Sequence, residues 1–207
     1  MRVAVVNYGM GNLGSVRRAL EDLAVEVAVA EHPAALFDAN RVILPGVGAF
    51  GEGMARLRAA GWVDALQRVV LDSGKPLLGI CLGMQMLANA SEENGVNEGL
   101  NLIPGRVRRL DALGCSLRIP HVGWNEVRHR DGTPLFAQIP QGMDFYFVHS
   151  YAFDVDDPDD IAATTEYGVP MTAAVRRGHV FGTQFHPEKS SKAGRQVLRN
   201  FLDVVAC

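Results

Sequence analysis

The sequence predicts an α/β protein built on an open, mostly parallel sheet. Through the first half, short β-branched runs alternate with helix-period segments, the pattern of parallel strands joined by crossover helices. Residues 77–80 are apolar throughout and bounded by turn residues, as a strand covered on both faces requires. Apolar residues fill 48% of the 207 positions and charged residues 21%, which provides a full core and excludes a disordered chain. No repeat, linker or low-complexity tract divides residues 1–207, so one domain is expected.

The elements follow in order. Residues 2–6 form a compact strand ended by the glycine-rich turn at 9–14. Val16, Ala19, Leu20 and Leu23 then fall at i, i+3, i+4 and i+7, one face of a helix. Residues 25–29 and 42–44 read as the second and third strands, the latter closed by Pro45. Helical sequence fills 54–73, is interrupted near Gly61, and stops at Gly74 and Pro76. After the strand at 77–80, residues 82–90 read as a helix. From 101 to 163 the runs become strand-like and punctuated by Gly and Pro, as at 145–148, so antiparallel hairpins are expected. The acidic tract 154–160 reads as an exposed turn and 179–185 as a late strand. Val197, Leu198, Phe201, Leu202 and Val205 mark the apolar stripe of a closing helix.

Composition excludes several function classes. A net charge of −3 with Lys and Arg scattered argues against nucleic acid or an anionic membrane as the main partner. Cys81, Cys115 and Cys207 are too few and too dispersed for a disulfide framework, and no Cys-x-x-Cys pair suggests zinc. The histidines show no metal-ligand spacing, so neither metal nor cofactor is expected. The apolar run at residues 3–6 is broken at once by Asn7 and Gly9, and no stretch is long enough to span a bilayer. A reducing cytoplasm is the expected location.

Two motifs compete for the chemistry. Gly9-Met10-Gly11-Asn12-Leu13-Gly14 matches the dinucleotide fingerprint after a strand, with Glu31 near the ribose-binding position. Glycine-rich first turns are common in α/β sheets, however, and the chain is short for a cofactor domain plus a substrate domain. None of the four tyrosines is followed by Lys four residues on. The second motif, Gly79-Ile80-Cys81-Leu82-Gly83, is a nucleophile elbow carrying sulfur. Glycines two positions either side allow the strand and helix to pack closely. The helix N-terminus favours the thiolate, and the Leu82 amide can meet an oxyanion formed by attack at Cys81.

A lone Cys after an apolar strand is more often buried core. Gln184-Phe185-His186-Pro187-Glu188 decides between the readings. A thiol nucleophile needs an imidazole to take its proton and return it to the leaving amine, and the imidazole needs a carboxylate to fix its tautomer. Residues i and i+2 share one face of an extended chain, so Glu188 can support His186, giving a triad Cys81–His186–Glu188.

At these residues the sequence resembles the triad-type (class I) glutamine amidotransferases, over nearly its whole length. The likeness also runs through Asn7-Tyr8-Gly9-Met10-Gly11-Asn12, Leu44-Pro45-Gly46-Val47-Gly48-Ala49-Phe50, His121-Val122-Gly123-Trp124-Asn125 and Tyr146-Phe147-Val148-His149-Ser150-Tyr151. Together with Pro187-Glu188-Lys189-Ser190, these stretches point to the branch of the family serving histidine biosynthesis. The resemblance implies a flavodoxin-like sheet with helices on both faces and some antiparallel additions, and hydrolysis of glutamine to glutamate and ammonia. It places the oxyanion at the amide of Leu82 and the peptide of Val47 and Gly48. It assigns glutamine binding to Gln85, Glu93, Ser150 and Tyr151. It further implies a heterodimer with a (β/α)₈-barrel cyclase that takes up channelled ammonia, docked near Asn12, Trp124, Tyr146 and Lys189. Glycine on both sides leaves the Val47 peptide free to reorient, so partner and ligand are expected to gate the reaction through it.

Overall fold

The computed structural model describes residues 1–204; Val205 of the expected apolar stripe and Cys207 lie outside them. Strands β1 (Arg2–Val6), β2 (Glu26–Ala30), β3 (Arg41–Gly46), β4 (Leu77–Cys81) and β13 (Val180–Thr183) pair in parallel in the order β2-β1-β3-β4-β13. This is the flavodoxin-like strand order, with the order of strand addition reversing between β1 and β3.

Alternation along the strands explains why both faces are covered. Val3, Val5, Ile43, Leu78 and Ile80 pack with Val16 and Leu20 of α1 (Leu13–Glu21) and with Val197, Leu198 and Phe201 of α5 (Ser191–Asp203). Ala4, Val6, Val42, Leu44 and Leu77 pack on the opposite face against α2 (Phe50–Ala59) and α3 (Trp62–Gln67). Fully burying each Val or Leu contributes ~1.5–3 kcal/mol, and these two layers hold the sheet between them.

The antiparallel part continues the same sheet. Strands β12 (Pro170–Arg177), β11 (Ile161–Glu166), β8 (His121–His129) and β9 (Met143–His149) extend it beyond β13. A second sheet pairs β10 (Tyr151–Val155) with β7 (Gly105–Arg109), followed by β5 (Ala90–Ser91) and β6 (Asn97–Glu98). The chain passes from β9 to β10 through Ser150 alone, so residues 149–151 form the corner where one sheet hands over to the other.

Several elements differ from expectation. Strand β3 runs through Pro45 to Gly46. Pairing with β1 ends at Ile43, and Pro45 faces that side, where no ladder bond is lost. The helix expected over 82–90 is only α4 (Leu82–Gln85). Its continuation is stopped because the carbonyls of Met86, Leu87 and Ala88 accept from the amides of Leu100, Leu102, Ile103 and Asn101. Helix α1 likewise ends at Glu21, leaving Leu23 in the turn but still packed against the core. The acidic tract is split: Asp154 and Val155 close β10, while Asp160 is buried and paired with Arg177 at 2.9 Å.

Candidate active site

The carboxyl ends of β3, β4 and β13 lie side by side, because these strands are adjacent and parallel. Gly46 registers with Cys81, and Thr183 with Ile80. One edge of the sheet therefore receives the Val47-Gly48 loop, the elbow cysteine and the run leading to His186. Ligands in open α/β sheets bind at this edge.

Cys81 adopts φ 55° and ψ −110°, a strained conformation for a residue with a Cβ. The strain persists because the turn is boxed in. A Cβ on Gly79 would lie 2.6 Å from the backbone of Gly83, and one on Gly83 would overlap the carbonyl of Leu44. The elbow glycines are thus dictated by close strand–helix approach, as their spacing predicts. α4 is only one turn long, so it offers the sulfur no long helix dipole.

His186 follows β13 in extended conformation, and its backbone is tied on both sides. Its amide donates to the Tyr146 carbonyl at 2.9 Å, and its carbonyl accepts from Ser190 Oγ at 2.6 Å. Glu188 reaches it from a short 3₁₀ turn, Pro187–Lys189, rather than from an extended chain. The Glu188 Oε1–His186 Nδ1 distance is 2.8 Å, with both side chains buried. Burial pushes the imidazole pKa down, but the neighbouring Cys81 sulfur and the Glu188 carboxylate outweigh it and raise it to about 9. Nε2 of His186 is buried outside hydrogen-bond geometry with any group, and so is Oε2 of Glu188.

Cys81 and His186 open onto one cavity of about 410 Å³, within the range of small-molecule sites. Every residue expected to serve the oxyanion or glutamine lines it: Leu82, Val47, Gly48, Gln85, Glu93, Ser150 and Tyr151. Glu93 is held there by the Phe50 amide at the start of α2, 2.7 Å from Oε2. Of the expected docking residues, Trp124 is exposed and packs edge-on against Tyr146, over whose ring Lys189 Nζ lies at 5.8 Å. Asn12 instead caps α1, accepting from the Ser15 amide.

The fingerprint loop is occupied by the protein itself. Arg56 donates to the Gly9 carbonyl, and Glu31 is bound by Asn7 at 2.9 Å. Residues not singled out beforehand also surround the thiol: Gln184 Nε2 lies 3.7 Å from Cys81 Sγ, the Val148 carbonyl is 3.9 Å from it, and Pro120 lines the cavity beside His149, the strand-end histidine expected near the glutamine pocket. Tyr8 is buried beneath Gly46 with its hydroxyl unpaired; burial, then the charge of Cys81, push its pKa up against the pull of Arg56. A signal existed for Gln184, which precedes His186 by two residues and so shares its side of an extended run. None existed for Val148, which acts through its carbonyl.

The fold is widely shared. A crystal structure of a glutamine amidotransferase superposes with a TM-score of 0.76 at 21% identity, covering 97% of both chains. The structure of PurLQS from Thermotoga maritima gives 0.75 at 20% identity, covering 98% of this chain and 97% of that one. Sequence relatives are nearer. The imidazole glycerol phosphate synthase subunit HisH of Moorella thermoacetica is 49% identical over 98% of this chain and 95% of its own length. The HisH subunit of Methylococcus capsulatus is also 49% identical, over 97% and 95%. Among the described residues no helix is long and apolar enough to cross a membrane. The model of the class-I glutamine amidotransferase family matches residues 4–205, and on these likenesses the chain belongs to that family, in its HisH branch.

Proposed function

We propose that this chain, acting as one domain in the cytoplasm, hydrolyses glutamine and passes the ammonia to a cyclase subunit that makes imidazole glycerol phosphate and AICAR for histidine biosynthesis. The observation that carries the reading is one cavity holding both a strained elbow thiol and an imidazole fixed by a buried carboxylate. The Cys81 sulfur attacks the side-chain amide carbon of glutamine. As the C–N bond breaks, His186 gives its proton to the departing ammonia, leaving a thioester on Cys81. Water then attacks the thioester while His186 takes its proton, and glutamate leaves with the thiol restored. Glu188 keeps the imidazole in the tautomer that presents Nε2 to these transfers.

The amide of Leu82 and the Val47-Gly48 peptide receive the oxyanion. One such donor is worth ~3 kcal/mol, or roughly 10²–10³ in rate. Gly48 has φ +100° and Val47 is exposed, so this peptide has room to turn, and the partner with its ligand sets its orientation. Glu93 is the sole carboxylate among the described lining residues and meets the α-ammonium of glutamine. Gln85, Ser150 and Tyr151 hold the rest of the amino-acid end. The barrel-shaped cyclase docks over Trp124, Tyr146 and Lys189, with Asn12 at its margin, and ammonia crosses the interface without entering solvent.

Glutamate release is the test, measured with and without the cyclase and its nucleotide substrate. Turnover should rise in the complex and vanish in Cys81→Ala with the fold intact by circular dichroism. Undiminished release from Cys81→Ala would discard the triad. Equal turnover with and without the partner would discard gating at Val47.

A further inference from the structure

Behind the cavity two runs of polar groups, one from the sheet surface and one from the nucleophile, meet at the Tyr151 carbonyl, and the donors and acceptors of each permit only one arrangement. Asn125 begins it. Its Oδ1 accepts from the Glu126 amide at 2.9 Å and its Nδ2 donates to the Glu166 carbonyl at 2.8 Å, which fixes the orientation of the side-chain amide. Nδ2 also lies 3.3 Å from His121 Nε2, so that nitrogen must offer its lone pair. The His121 proton then sits on Nδ1, 3.0 Å from His149 Nε2. The far end demands the same order, because His149 Nδ1 meets the Tyr151 carbonyl at 2.8 Å and only an N–H can do so.

The Tyr151 carbonyl accepts a second bond, from Gln85 Nε2 at 2.9 Å. The remaining Gln85 proton goes to Gln184 Oε1 at 3.0 Å. Two consequences follow. Gln85 has spent both its donors, leaving its oxygen as an acceptor at the cavity. Gln184, fully buried, must present its Nε2 hydrogens to Cys81 Sγ.

We propose that Gln184 is a catalytic residue that donates to the Cys81 sulfur, held in that orientation by Gln85, which the Tyr151 carbonyl fixes as a donor, with Asn125, His121 and His149 as positioning residues that anchor that carbonyl from its other side. It rests on the reading of Cys81 as the nucleophile. A donor to sulfur stabilises the thiolate before attack and again when the thioester is cleaved, whereas the Val148 carbonyl on the other side can only accept from the neutral thiol. The chain is intact when both buried imidazoles are neutral. A proton added to His121 would point at the Asn125 donor, and one added to His149 would point at His121 Nδ1–H. Burial accordingly lowers both pKa values to about 4, with the neighbouring His121 and His186 adding to the effect at His149.

Alkylation of Cys81 by iodoacetamide across pH, followed by peptide mass spectrometry to separate it from Cys115, reads the sulfur without needing glutamine. In Gln184→Glu, which keeps the acceptor for Gln85 but replaces the donor by an acceptor, alkylation below the midpoint should slow about tenfold. Gln184→Met should slow it in the same direction. An unchanged profile in either folded variant overturns the role of Gln184. Asn125→Asp, at the far end, should raise KM for glutamine and shift the same alkylation midpoint; no change in either overturns the positioning chain. In the unaltered protein, ring ¹⁵N spectra at pH 7 should show His121 and His149 both carrying the proton on Nδ1, and the opposite tautomer in either ring overturns the chain. If these reactivity shifts appeared but the unaltered chain with its cyclase released no glutamate, the glutaminase reading alone would fall.

Discussion

Glu188 supports His186 through a single oxygen, with Oε1 at 2.8 Å from Nδ1 and Oε2 buried without a partner. Its negative charge is one of the two influences that lift the imidazole to about 9 against burial. Glu188→Gln keeps the shape and removes the charge. Glutamate release should fall about 10²–10⁴-fold, and the His186 titration, followed by ring NMR, should move down from about 9. Unaltered turnover would mean that the carboxylate does not assist the imidazole. At this scale the His186–Glu188 pair and the elbow at Cys81 were legible, since each sits in a run whose spacing has a chemical reason. Gln184 shares a side of the run with His186, but its amide gains a role only once a sulfur is found beside it.

The strand–turn–helix at residues 77–85 shows how an element stores strain for a site. Cys81 sits at positive φ while its neighbours are pinned by a parallel strand on each side. Cys81→Gly should therefore be more stable than Cys81→Ala, by about 1 kcal/mol, reversing the usual preference for Ala; chemical denaturation of the two inactive variants measures it. Gly83→Ala should destabilise by about 1–3 kcal/mol, since the added methyl overlaps the Leu44 carbonyl and the sheet must shift. A fall of several degrees in Tm would register it, and an unchanged Tm would show that the turn is looser than its geometry. The glycine spacing was readable in advance. The early end of α4 was not, because the carbonyls that would prolong it are taken by residues 100–103, whose own sequence reads only as a loop.

For the whole molecule the buried histidines set opposing pH limbs. His149 and His121 have pKa values lowered to about 4. Below the ordinary value near 6.5 the unfolded chain takes up protons that the fold refuses. Their contribution is thus complete above about 6.5 and is lost as the pH falls toward 4. His186 is the reverse, raised to about 9: its contribution is complete below about 6.5 and is lost as the pH rises to 9. Unfolding free energy from urea titrations should peak near pH 6.5 and decline on both sides. Cys81→Ala should flatten the alkaline limb selectively, because the sulfur is one cause of that shift. A stability plateau from pH 5 to 9 would contradict both assignments.

Local pattern alone determined the parallel half of the sheet, the faces of α1 and α5, the elbow and the His-Pro-Glu run, since each depends on residues a few positions apart whose periodicity or spacing has one physical reading. Tertiary structure decided what lies far apart in sequence. It brought the ends of β3, β4 and β13 to one edge, placed Glu93 at the start of α2, and turned the chain at Ser150 so that His149 and Tyr151 face the thiol's cavity. It also fixed the donors and acceptors of the polar groups from Asn125 to Gln184, which meet at the Tyr151 carbonyl. A hydrogen bond has a polarity only when both partners are known, and here the partners come from five separate segments that meet after the sheets have packed.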